Sequence, residues 1–276
     1  MEAKMRNGFF NPRRFGHLLL RELAGSYRAM LIAMAAVGGA VIVASALSLL
    51  GIAQARGPAG APGNFYLSYF FNLLFLGGFI VTSLSFREVW QNGGGIFYLT
   101  LPGSVFEKLV GKLLVTSVGF ALGSMIFMAV VGAVSEGINT LLFGFGHGFA
   151  DSGAQIVAAL KAAGFYVITQ SVFFLGAIWF KKLPFLKTVL WIVIFGVGAG
   201  IVAFAAARIF LASQFVWTAH GWSMNMNTNQ LNSLFGPGTR PGAVIDGFKI
   251  VAQVLFYAMA PVCWLASYFR LGEAEV

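Results

Sequence analysis

The chain has 276 residues, of which 58% are hydrophobic and only 10% are charged. Soluble domains are closer to about 45–50% apolar and about 25% charged, and so few charges cannot cover a water-exposed surface without leaving large apolar patches. The composition therefore excludes a soluble protein. The net charge is +9. Because the basic residues lie between apolar segments, they are interpreted as loop residues that set membrane orientation. No nucleic-acid partner is predicted.

A short segment precedes the first apolar stretch. Asn11 and Pro12 are typical of a helix start, as N-cap and first helical residue. Apolar residues then recur at helical spacing between arginines, which predicts an amphipathic helix over residues 11–28 in the cytoplasmic headgroup layer. The residues assigned to this interface helix are Arg13, Arg14, Phe15, Leu18, Leu19, Arg21 and Leu23. The alternative is a basic anchor that only sets topology.

Six apolar stretches are long enough to cross a membrane, since a helix needs roughly 20 apolar residues to span the hydrocarbon core. They are residues 29–53, 65–86, 113–134, 162–180, 185–212 and 250–269. Barrel strands would alternate apolar and polar residues, and these stretches do not. The predicted fold is an all-α integral membrane protein, with residues 1–276 forming a single transmembrane domain of six transmembrane helices.

The distribution of basic residues predicts the orientation of these helices. Of the 18 Lys and Arg residues, 13 fall in segments on one side of the membrane and 5 on the other. Basic loops remain cytoplasmic, so both termini are predicted to be cytoplasmic. The loop at residues 87–112 is then cytoplasmic and the loop at residues 213–249 is external. The external loop is rich in aromatic residues and is predicted to form a re-entrant or interfacial hairpin.

The sequence offers no catalytic chemistry of its own. The one Gly-Lys pair, Gly111-Lys112, is followed by Leu113, and Phe106 stands where a P-loop needs its first glycine. Asp and Glu are confined to loops and helix ends, which excludes buried acid–base pairs in mid-membrane. No catalytic residue, metal site or cofactor is predicted in this chain, and Cys263 is the only cysteine.

The most informative segment is YLTLPGSVFEK, Tyr98 to Lys108, in the cytoplasmic loop. Pro102 keeps the residue before it out of the helical region. Ser104 can then cap a new helix, and Glu107 three residues later completes a capping box. This helix is predicted to cover residues 106–114 and to continue into the third span. By itself the pattern is also consistent with a well-capped loop helix that has no further role.

The segment resembles the loop of ABC-2-type permease subunits of bacterial ATP-binding-cassette transporters, where YL-x-LP-x-S-x-x-EK follows the second span. Residues 10–23, FNPRRFGHLLLREL, resemble the amphipathic connecting helix that begins many of these subunits. The residues that match the loop motif are Tyr98, Leu99, Leu101, Pro102, Ser104, Glu107 and Lys108. The glycines at residues 93–95, directly before the motif, depart from it and would loosen the loop.

The resemblance implies a permease subunit of an exporter, and this subunit is not itself an enzyme. Its expected partners are a cytoplasmic ABC ATPase subunit that holds ATP and Mg, a second permease copy or paralogue, and the lipid of a bacterial cytoplasmic (inner) membrane. The loop after the second span would carry the coupling helix, and Arg87 and Glu88 are assigned to the ATPase contact from their position alone. The alternative function is a membrane anchoring or assembly protein that recruits a cytoplasmic partner.

Overall fold

A computed structural model describes residues 10–55, 64–90, 103–148, 152–210, 215–218, 221–224 and 240–274. The chain divides into two compact units, one of residues 1–185 with 262–276 and one of residues 186–261. The helices are α1 (Pro12–Ala55), α2 (Phe65–Asn72), α3 (Gly78–Leu84), α4 (Arg87–Trp90), α5 (Val105–Leu114), α6 (Phe120–Phe143), α7 (Ser152–Trp179), α8 (Pro184–Phe210) and α9 (Arg240–Ala274). Two π-helical turns, Leu73–Gly77 and Val115–Gly119, join α2 to α3 and α5 to α6.

Six helical segments of the described chain are long and apolar enough to cross a membrane, which confirms the predicted number. They are Met30–Gly51, Phe65–Trp90, Val105–Phe143, Gly153–Trp179, Pro184–Ala205 and Lys249–Glu273. The protein is therefore a multi-pass helical membrane protein. The third segment has 39 residues, longer than the predicted 113–134, because α5 continues into α6. At 1.5 Å per residue it is about 58 Å long, so part of it extends beyond a ~30 Å hydrocarbon core.

Helix α1 starts as the sequence predicts. The backbone N–H of Arg13 donates to Asn11 Oδ1 at 3.1 Å, and that of Phe15 donates to the Asn11 carbonyl at 2.9 Å. Asn11 is therefore the N-cap and Pro12 the first helical residue. The helix runs without interruption through the predicted interface segment and the first span. The location of residues 11–28 in the headgroup layer stays a prediction.

The first unit has two buried apolar clusters. The larger one joins α1, α2, α6 and α7, with Tyr66, Phe70 and Leu74 repeating every four residues along one helical face. Tyr166 of α7 lies in its centre, fully buried, and donates a hydrogen bond to the Thr116 carbonyl at 2.8 Å. A Cβ at Gly78 would lie 2.5 Å from the Tyr166 ring, so glycine is what lets these two spans approach.

The smaller cluster lies at the end of the unit that carries α5. It consists of Phe86, Val89, Leu109, Phe174, Ala177, Ile178 and Leu271. These residues come from α4, α5, α7, the C-terminal part of α9 and the turn before α4. The cluster therefore packs the start of the third span against the ends of the second, fourth and sixth.

The second unit contains most of α8, a short hairpin and the first part of α9. Strands β1 (Phe215–Thr218) and β2 (Gly221–Met224) pair antiparallel, with Trp217 opposite Trp222. This short hairpin lies within the predicted external loop, and the six candidate spans of the described chain are all helical, as predicted. Its insertion into the membrane stays a prediction, and residues 225–239 of that loop lie outside the described residues.

Candidate functional site

The N-terminus of α5 is built around a buried carboxylate. The Glu107 side chain is 0% exposed. Its backbone N–H donates to Ser104 Oγ at 3.2 Å, and the Ser104 N–H donates back to Glu107 Oε2 at 3.1 Å. Ser104 has the extended backbone of an N-cap residue. The predicted capping box is therefore confirmed.

Two residues at the start of α1 complete the surroundings of this carboxylate. The Asn11 backbone N–H donates to Glu107 Oε1 at 2.6 Å, and Arg14 Nη2 donates to the same oxygen at 2.8 Å. Arg14 Nε lies 2.7 Å from Oε2, so the guanidinium engages both carboxylate oxygens. We call Asn11, Arg14, Ser104 and Glu107 the Glu107 junction. It joins the first turns of two helices that are more than 90 residues apart in the chain.

The junction pairs a guanidinium with a carboxylate. A hydrogen bond between two charged groups is stronger than one between neutral groups, and the backbone amides of Asn11 and Ser104 add two donors to the same carboxylate. The hydrogen bond to Glu107 raises the pKa of Arg14 above its ordinary value, in spite of the opposing effect of desolvation. Arginine is already charged at physiological pH, and the pairing favours this charged form further.

Apolar contacts extend the junction along α1. A Cβ at Gly103 would lie 3.0 Å from Leu18 Cδ1, and one at Gly111 would lie 3.7 Å from the Phe15 ring and 3.9 Å from Leu19. These glycines thus leave room for the α1 side chains. Part of the apolar face of α1, which was predicted to lie in the headgroup layer, therefore packs against α5 and Gly103 in the same chain. Leu23 is different, because it is 53% exposed.

A second ion pair lies along the same two helices. Lys112 Nζ lies 2.9 Å from Glu22 Oε2, and the ammonium also lies 5.5 Å from the centroid of the Phe86 ring. Lys112 is only 3% exposed. The sequence predicted neither a buried position for Lys112 nor a role for Glu22. Neither residue carries a local signal for the pairing, since 90 residues separate them.

The other residues assigned to ATPase coupling have different environments. Lys108 is buried, like Glu107, so neither side chain offers a direct contact surface in this chain. Arg87 and Glu88 lie on α4 and are both exposed, next to the buried Val89. The remaining four motif residues lie outside the described residues; they are Tyr98, Leu99, Leu101 and Pro102. In the predicted interface helix, Arg13 is exposed and Arg21 is half-buried.

Helix α5 is connected directly to the membrane-spanning part of the chain. Leu114 at its end and Phe120 at the start of α6 both have helical backbone angles, and only the π-helical turn Val115–Gly119 lies between them. No loop interrupts the path from Ser104 to Phe143. Helix α5 is therefore a continuous helical connection between the junction and the third span.

A second polar cluster, at the far end of α6, was missed by the sequence analysis. Glu136 Oε1 accepts from the Tyr66 hydroxyl at 2.6 Å and from the His147 N–H at 3.1 Å, and Oε2 accepts from the Gly148 N–H at 3.1 Å. The His147 ring stacks on Phe65, with centroids 4.2 Å apart. This cluster fastens the segment after α6 to α2. It is a counterpart of the Glu107 junction at the opposite end of the same helical path.

Comparisons with protein-family models, curated proteins and solved structures found no match for this chain. The likeness to ABC-2 permeases therefore rests on the two sequence segments alone. Among the described residues, no three His, Cys, Asp or Glu side chains come together in a group that could hold a metal ion.

Proposed function

We propose that this chain is the permease subunit of an ABC-2-type exporter, driven by ATP hydrolysis in a separate cytoplasmic ATPase subunit. The observation that carries the proposal is the Glu107 junction. It occurs within the segment that resembles the permease motif, and it includes Asn11 and Arg14 from the segment that resembles the connecting helix. The two resembling segments thus meet in one structural unit.

The connectivity of α5 supports a coupling role. A permease without its own ATP site needs an element that carries the motion of the ATPase into the membrane. Helix α5 is fixed to α1 by Glu107 at one end and continues into α6 at the other. A force on α5 would therefore move the third span and the start of α1 together.

The strength of the junction fits the work required. Switching a two-state population from 1:99 to 99:1 takes roughly 5.5 kcal/mol of differential interaction. If the connection between the ATPase and the spans were flexible, movement of the ATPase would change the connection instead of moving the spans. The Glu107 junction makes the connection rigid. Its buried carboxylate pairs with a guanidinium and accepts from two backbone amides, and any displacement would leave these groups without partners.

In this proposal Glu107 and Lys108 are positioning residues, because both are buried. The ATPase would contact exposed side chains nearby, with Arg87 and Glu88 of α4 as candidates. A second permease copy or paralogue would complete the transporter in a bacterial inner membrane, with both termini on the cytoplasmic side. ATP and Mg would be held by the ATPase alone.

Purification of the tagged chain in mild detergent from its native cells tests this proposal. We expect a nucleotide-binding ATPase chain to be recovered with it. The Arg87→Ala/Glu88→Ala variant should recover several-fold less ATPase, because both exposed contact candidates are removed. The matched control is Lys161→Ala/Asp246→Ala, which also removes one base and one acid but lies on the predicted external side.

Recovery of a partner that binds no nucleotide would contradict the proposal and favour the anchoring or assembly function. Equal loss of the ATPase from both double variants would show that Arg87 and Glu88 do not form the ATPase contact.

A further inference from the structure

An open cavity of about 570 Å³ lies where the second and fourth spans end and the fifth begins. Its lining includes three basic side chains, Arg87, Lys181 and Lys182. The apolar part of the lining includes Leu84, Ala177 and Phe180. We call it the basic cavity. All the residues that line it belong to the first compact unit.

The charges of the basic cavity are not neutralised within the described part of the chain. The ion pairs there join Arg14 to Glu107, Lys112 to Glu22 and Arg270 to Glu273, and none involves a base of the cavity. Lys181 Nζ instead lies 4.8 Å from the centroid of the Trp90 ring. A ring face attracts a cation without cancelling its charge. Three positive charges therefore remain available to an anion.

The position of the cavity indicates the kind of anion. Trp90 and Trp179 end two candidate membrane spans, and Pro184 starts the next. Tryptophan is enriched at the membrane–water boundary, where lipid headgroups lie. The cavity is therefore placed at the level of lipid phosphates. Its apolar lining, which a soluble anion would not use, suits the upper part of an acyl chain.

Leu183 adds an independent observation at the same place. It lines the cavity, its side chain is 68% exposed, and its φ is +52°. A leucine rarely adopts this left-handed backbone, and such strain persists where the surrounding structure imposes it. The turn between α7 and α8 thus holds a large apolar side chain outward beside two lysines. An exposed apolar side chain beside two basic side chains suits a ligand that has an anionic head and an apolar tail.

We propose that the basic cavity binds an anionic phospholipid, with the phosphate among Arg87, Lys181 and Lys182 and an acyl chain along Leu84 and Phe180. This site goes beyond the transport function, because it assigns a lipid as a specific ligand of the chain. It does not depend on an ATPase partner.

Lipid titration of the purified full chain, followed by native mass spectrometry, tests the site. Phosphatidylglycerol should bind more tightly than phosphatidylcholine with the same acyl chains. A surface base contributes roughly a fivefold change in affinity for anionic lipid, so Lys181→Gln/Lys182→Gln should lower phosphatidylglycerol affinity about 25-fold. Arg87 is left intact because it is also assigned to the ATPase contact. Both lysines are exposed, so the fold should be unaffected.

The matched control is Lys161→Gln/Lys249→Gln, which removes the same charge from two lysines that do not line the cavity and should leave the affinity unchanged. Equal affinity for the two lipids, or equal losses in the two double variants, would overturn the proposal. Inorganic phosphate is the probe for a soluble ligand. Displacement of phosphatidylglycerol by millimolar phosphate would assign the site to a soluble anion instead of a lipid, and would also overturn it.

Discussion

Replacing Glu107 with alanine is expected to uncouple ATP hydrolysis from transport. The change removes the acceptor for the Asn11 and Ser104 backbone amides and the partner of Arg14. A buried amide left without an acceptor costs roughly 1–3 kcal/mol, and α5 should come loose from α1. We expect substrate-stimulated ATP hydrolysis by the reconstituted transporter to fall about tenfold, which corresponds to ~1.4 kcal/mol of lost coupling.

Three further variants separate uncoupling from simple destabilisation. Arg14→Ala should give a similar loss, and the double variant should be little worse than either single one, because residues that share one interaction are not additive. Glu136→Ala is the matched control, since Glu136 also accepts from two backbone amides on the same helical path. It should lower thermal stability in detergent without uncoupling. Equal uncoupling by Glu136→Ala, or full coupling in Glu107→Ala, would refute the assigned role of the junction.

The Glu22→Gln variant is expected to lower the stability of the fold, because it leaves the buried ammonium of Lys112 without its carboxylate. Lys112 is 3% exposed and its ammonium lies 2.9 Å from Glu22. Removing one partner of a buried pair costs roughly 3–5 kcal/mol. Because Glu22 itself is 23% exposed, water reduces this figure, and we expect about 1–3 kcal/mol. Thermal unfolding in detergent, followed by circular dichroism, measures the difference.

The exposed pair of Arg270 and Glu273 supplies the control for this prediction. Its side chains are 37% and 63% exposed, and surface pairs contribute about 0–1 kcal/mol. Glu273→Gln should therefore leave the unfolding temperature nearly unchanged. The double variant Glu22→Gln/Lys112→Met should recover part of the loss, since no buried ammonium remains. Equal destabilisation by Glu22→Gln and Glu273→Gln would show that burial of Lys112 does not matter.

The parts of this fold that could be read from the sequence are those set by local physics. Apolar length alone predicts the six candidate spans, because a helix must match the thickness of the hydrocarbon core. The Asn11 cap and the Ser104–Glu107 capping box involve residues two or three apart, so the residue types and their spacing are enough. The hydrogen bonds of these caps follow directly from helix geometry.

The parts that could not be read depend on contacts between distant segments. An arginine in a basic N-terminal segment has the same local pattern whether it faces lipid phosphates or Glu107, and only packing of α1 on α5 decides between them. The same holds for Phe15 and Leu19, whose helical spacing fits a membrane surface and a neighbouring helix equally well. Glu136 was assigned to a loop because the apolar stretch ends before it, although α6 continues to Phe143.

The hairpin within the predicted external loop was anticipated only in outline. Aromatic residues in a long loop indicate contact with membrane or protein, but they do not specify secondary structure. The alternation along Phe215–Thr218 and Gly221–Met224 is too short to be distinguished from an irregular apolar segment. The register that pairs Trp217 with Trp222 depends on the turn between the strands.

The most direct test of the account is photo-crosslinking from the proposed coupling helix in living cells. A photoreactive phenylalanine analogue at Phe106, which is half-buried on the first turn of α5, would report any chain that touches this helix. The same analogue at Leu141, which is 87% exposed near the other end of α6, is the control. The account predicts an adduct with a nucleotide-binding ATPase chain from position 106 and none from position 141. Absence of that adduct at position 106, or equal adducts at both positions, would contradict it.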